Sequence, residues 1–74
     1  MNLKEKLAAL EEIMELDEGT LTPQDNLADI DEWDSLSALS YVVLMMDEFG
    51  KSVSGNTIRA FTTVQDILNT MEAD

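Results

Sequence analysis

An all-α fold, a small bundle of three main helices with one short helix before the last, follows from three features of this chain. Apolar residues recur at helical spacing in three separate stretches, residues suited to helix ends flank those stretches, and no segment reads as a strand. The first stretch places Leu3, Leu7, Leu10 and Met14 on one stripe with Ile13 beside it, an amphipathic helix over roughly residues 2–16. Asn2 can cap it, and Glu5 three residues later completes a capping-box pair. Gly19 and Thr22-Pro23 then end the pattern.

Residues 17–34 have no clear period. Leu21, Leu27, Ile30 and Trp33 are spaced as anchors that would hold a long loop onto a core, and a loop of that length in a small domain is usually functional or disordered. The second helix is expected over about residues 35–49, with Gly50 as its left-handed cap. At ~100° per residue Leu36, Val43, Leu39, Met46, Val42, Phe49, Ala38, Met45 and Tyr41 cover an arc of roughly 220°. A surface helix needs a stripe of only about 100° or somewhat more, so part of that arc is expected to await a partner. Val53 then offers one apolar residue in a polar link, and residues 56–61 make a short turn held by Ile58 and Phe61. Thr62 and Gln65 are read as a capping box opening the last helix, whose buried face is Val64, Ile67, Leu68 and Met71.

At 74 residues the chain is read as one domain spanning 1–74, near the lower limit for folding without covalent staples. It has no cysteine, which excludes disulfides and thiolate metal sites and favours an intracellular setting. The first residues lack a signal peptide's apolar core, and no apolar run reaches the ~20 residues that span a bilayer. A cytoplasmic, soluble, monomeric protein is expected. Sixteen acids against four bases give a net charge of −12, which repels nucleic acid and anionic membrane and attracts basic protein surfaces. The 45% apolar content, being periodic, excludes disorder.

Asp34-Ser35-Leu36 carries the chemistry. It places a hydroxyl at a helix start, where free backbone N–H groups and the helix dipole favour an oxyanion or a phosphate. The chain has no histidine, so Ser35 has no base to make it a nucleophile, and no other acid–base pair can be assembled. A carrier is expected rather than an enzyme. Taken locally, a serine at this position is more commonly a plain cap. The acids Asp29, Asp31, Glu32 and Asp34 do not form a calcium loop. Such a loop needs glycine at position six and glutamate at position twelve, and counting from Asp29 these are Asp34 and Ser40. No dedicated metal site is expected.

Together these elements resemble the acyl carrier protein family over nearly the whole chain. The matching blocks are Asp34-Ser35-Leu36 after its acidic loop, the apolar helix ending Asp47-Glu48-Phe49-Gly50, and Phe61-Thr62-Thr63-Val64-Gln65-Asp66-Ile67. The resemblance implies a four-helix carrier, a phosphoprotein in which Ser35 bears a 4′-phosphopantetheine arm from coenzyme A. Acyl groups held on the arm as thioesters would serve fatty-acid, polyketide or related lipid biosynthesis. It assigns Asp34 to capping and to the modifying enzyme, and Leu36 to partner contact. Ser37, Ser40, Val43, Met46, Asp47, Ile58 and Arg59 would also face partners, while Val42, Met45 and Phe61 would line an acyl cavity and serve the core. The implied partners are a phosphopantetheinyl transferase and acyl-transfer or condensing enzymes with basic docking patches.

Carriers of primary fatty-acid synthesis commonly hold acids where this chain has Ser37, Ser40 and Met46, which suggests a specialised carrier. Two other functions stand beside the acyl carrier. One is an aminoacyl or peptidyl carrier, although Glu32-Trp33-Asp34-Ser35 departs from the usual Gly-Gly-His-Ser motif and such carriers are less acidic. The other is an unmodified acidic adaptor that binds a basic protein through the second helix.

Overall fold

The computed structural model describes residues 2–72. In chain order the elements are α1 (Leu3–Met14), a short 3-10 turn (Leu27–Asp29), α2 (Ser35–Leu44, continued by a wider π turn over Met45–Phe49), α3 (Gly55–Arg59) and α4 (Val64–Thr70). The described residues contain no strand; Asn26 and Thr63 form an isolated antiparallel bridge. The all-α architecture is therefore as expected.

The start of α1 follows its local sequence. The Asn2 side chain accepts the Glu5 N–H at 2.8 Å, and the Glu5 carboxylate accepts the Asn2 N–H at 3.1 Å. Leu10 and Met14 are buried and Leu7 is half-buried, but Leu3 is 53% exposed. The expected stripe is thus one turn too long, because nothing covers that side of the first turn. The helix closes on Glu15, which takes the left-handed conformation at φ 58°. Gly50 closes the π turn in the same region at φ 64°, as its position after Phe49 predicts.

The core joins all three longer helices to the long loop: Leu10 and Met14 from α1, Tyr41 from α2, Met45 from its π turn, and Val64, Ile67 and Leu68 from α4, with Leu21, Leu27 and Met71. Residues 17–34 are ordered by two means. Leu21 and Leu27 are buried, with Ile30 and Trp33 partly buried against the same core. The loop's backbone groups also find partners, as buried amides and carbonyls must. The Glu11 carboxylate, itself 4% exposed, accepts the Leu21 N–H at 2.9 Å. Leu27 N–H bonds to the Thr62 carbonyl at 3.0 Å, Val64 N–H to Asp25 at 3.0 Å and Gln65 N–H to Pro23 at 2.9 Å.

Those cross-chain bonds also correct the expected start of α4. The cap is Thr63, not Thr62, and its partner is Asp66, not Gln65. One Asp66 oxygen accepts the N–H groups of Thr62 at 2.8 Å and Thr63 at 3.1 Å. The carbonyl of Thr62 is engaged by Leu27, which holds Thr62 outside the helix. The short helix α3 begins slightly earlier than expected, at Gly55, where the Ser54 hydroxyl accepts the Thr57 N–H at 3.2 Å.

Candidate functional site

Ser35 is the first residue of α2 and is exposed. Asp34 before it is extended, with φ −125° and ψ −171°. The Asp34 carbonyl accepts the Ala38 N–H at 2.9 Å, starting the helical ladder. Its carboxylate accepts the Ser37 N–H at 2.9 Å. That backbone bond holds the Asp34 pKa below the ordinary aspartate value against the opposing cost of desolvation, with smaller help from the Leu36 N–H. Asp34 therefore stays ionised at neutral pH. The N–H groups expected to face an anion at this helix start are thus partly taken by a carboxylate of the chain itself. What the site offers is an exposed hydroxyl on a fixed backbone rather than a ready anion pocket.

Beside Ser35 lies an open groove of about 430 Å³, lined by Asp34, Ser35 and Ala38, by Leu27, Ala28 and Trp33, and by Ile58, Arg59 and Phe61. Its wall is mostly apolar, and Arg59 adds a positive charge. Tyr41, fully buried, supports two of the wall residues edge-on: the Trp33 ring at 6.2 Å and 69°, and the Phe61 ring at 5.8 Å and 81°. The groove can therefore receive a slender, partly apolar chain tethered at Ser35, and Arg59 suits an anionic group near the tether.

The structure sorts the other expected site residues into three places. Ile58, Arg59 and Phe61 join Asp34 and Ser35 at the groove. Leu36 (72% exposed), Val43 and Met46 lie along the outer face of α2 and its continuation, with Asp47 exposed near the far end and Ser40 half-buried. Val42 and Met45 point towards the core, Met45 completely buried, and neither lines the groove. Of the three expected cavity residues, Phe61 alone faces it.

Ser37 was expected to meet partners and does not. It is 5% exposed, and its hydroxyl donates to the Glu32 carbonyl in the loop. A residue two places after Ser35 lies about 200° round the helix from it, which turns Ser37 inward when Ser35 faces out. Leu39, 61% exposed, was not singled out as a contact residue. Its angle of about −60° from Leu36 puts it between Val43 and Met46, completing an exposed apolar stripe about 80° wide.

Residues 7–71 match the model of the phosphopantetheine attachment site family. The chain belongs to that family of carrier domains, to which 4′-phosphopantetheine is covalently attached. Its members carry groups for transferases and acyl-handling enzymes rather than catalysing reactions themselves. Comparison with curated proteins and with solved structures gives no match.

Proposed function

We propose that this chain is an acyl carrier whose attachment residue is Ser35. The observation that supports the assignment best is the conjunction at the start of α2. An exposed hydroxyl, held by the Asp34 cap, opens onto a mostly apolar groove inside the region that matches the family. In the loading reaction the Ser35 oxygen forms a bond to a phosphorus of coenzyme A's pyrophosphate. The P–O bond to the nucleotide breaks, the nucleotide leaves with the bridging oxygen, and the serine proton passes to a base of the transferase. The thiol at the end of the arm then holds acyl groups as thioesters.

The apolar groove and the acidic approach Asp29-Ile30-Asp31-Glu32 favour an acyl cargo over an aminoacyl or peptidyl one. Residues 1–74 act in this reading as one monomeric carrier domain in the cytoplasm, without catalysis of its own. No helix among the described residues is long and apolar enough to cross a membrane. Partner enzymes would approach along Leu36, Leu39, Val43 and Met46, guided by the surrounding acids, Asp47 and Glu48 among them. Because the centre of that face is apolar, the carrier fits a specialised lipid or polyketide route better than the general fatty-acid enzymes.

The intact mass of protein isolated from its native cell tests the reading. A species heavier by one phosphopantetheine, or by an acylated one, supports it. A wholly unmodified population supports the acidic adaptor instead, and an aminoacyl adduct the peptidyl-carrier alternative.

A further inference from the structure

We infer that Ser37 is a positioning residue for the modification of Ser35, acting through the segment Glu32–Asp34. The inference rests on Ser35 being the attachment residue and adds to that reading a device that presents it.

Two restraints meet on Ser37. Its hydroxyl donates to the Glu32 carbonyl and its N–H donates to the Asp34 carboxylate at 2.9 Å. Both acceptors precede Ser35 and both donors follow it, so residues 32–37 are closed into a ring with the exposed Ser35 on its outer side. A serine inside a helix commonly donates to a carbonyl three or four residues back. The Ser37 hydroxyl instead reaches five residues back, past the helix start and into the loop. It does nothing for the helix that alanine would not do better. Trp33, inside the same ring, is braced by the buried Tyr41 at 6.2 Å. The Ser37 side chain is nearly inaccessible, so it is not a contact for a partner.

A transferase must bring the Ser35 oxygen in line with a phosphorus of coenzyme A. A loop already fixed in the binding conformation spares the ordering cost that a free one would incur on docking. Ser37 touches neither the phosphorus nor the departing nucleotide. Its effect is therefore on the affinity of the carrier for the transferase, not on the chemical step.

The test uses the full apo chain, a phosphopantetheinyl transferase and coenzyme A. Ser37→Ala should raise the KM for the carrier roughly three- to tenfold, the equivalent of one lost hydrogen bond, with kcat within a factor of two. The amides of Trp33 and Asp34 should exchange faster by a comparable factor while α4 amides keep their protection. Ile67→Val, a core change in α4, provides a destabilised comparison and should leave KM unchanged. An unaltered KM in Ser37→Ala, or the same rise in Ile67→Val, overturns the positioning role and leaves Ser35 as the attachment residue. Wild-type chain that accepts no phosphopantetheine overturns both.

Discussion

The phenol of Tyr41 in α2 and the hydroxyl of Thr70 in α4 lie 2.6 Å apart. Thr70 in turn donates to the Ile67 carbonyl at 2.6 Å, which leaves Tyr41 as the donor to Thr70. This short chain of bonds satisfies a fully buried phenol, and burial raises its pKa above the ordinary tyrosine value against a smaller lowering by Thr70. Tyr41 also braces Trp33 and Phe61, so the contact ties the groove wall to the last helix. Tyr41→Phe keeps the ring and removes the bond. It should lower the unfolding free energy by about 0.5–1.5 kcal/mol in urea titrations, with holo formation retained.

Glu15 ends α1 with φ 58°, where a side chain costs roughly 1–2 kcal/mol, and it sets a negative charge at the negative end of the helix. Glycine adopts that conformation freely but gives up unfolded-state entropy. Glu15→Gly should therefore stabilise the chain by about 1 kcal/mol, or roughly 5 °C in Tm by calorimetry. A lower Tm would show that the Glu15 side chain makes a contribution larger than its backbone cost.

The Asp66 carboxylate is held below the ordinary aspartate pKa, first by the Thr62 N–H and then by the Thr63 N–H. A depressed folded-state pKa contributes stability above the unfolded value of about 4, and that contribution is lost as pH falls through the folded value. Asp66→Asn should be less stable than the parent at pH 7, and the gap should narrow below about pH 4. Relief of self-repulsion on acidification affects both proteins almost equally, so the difference between their urea midpoints isolates Asp66. A gap that is constant with pH would contradict the assignment.

The outer face of α2 predicts partner choice. Ser40→Glu with Met46→Glu places acids where general fatty-acid carriers commonly have them. The holo double variant should be a better substrate for a fatty-acid ketosynthase than the parent, through faster encounter and with stronger salt dependence. Ser37→Asp does not belong in that variant, because it would bury a charge and destabilise the fold. Full turnover of the parent holo chain, with no gain from the acids, would contradict a specialised carrier.

Much of this organisation was legible in the sequence because it is local. Asn2 with Glu5, the stripe of α1 from Leu7 onward and the glycine cap at Gly50 follow from neighbours in the chain. The features that escaped depend on distant residues. Thr62 and Thr63 compete as caps of α4, and the bond from Leu27 to the Thr62 carbonyl decides between them. The 220° apolar arc of α2 includes Leu39 but could not show which edge would be left uncovered, and Ser37 was placed outside by the family resemblance, which does not report the bond to the Glu32 carbonyl. Leu27 and Ala28 from the loop join Ile58 and Phe61 to form a groove that no single segment encodes.

Ser35 is the residue proposed to carry the phosphopantetheine arm. The most direct measurement is the intact mass of the wild-type chain and of Ser35→Ala after incubation with a phosphopantetheinyl transferase and coenzyme A, with circular dichroism to confirm equal helix content. Wild type should become fully heavier by one phosphopantetheine, and Ser35→Ala should gain nothing. The same gain of mass in Ser35→Ala, or none in wild type, would contradict the account.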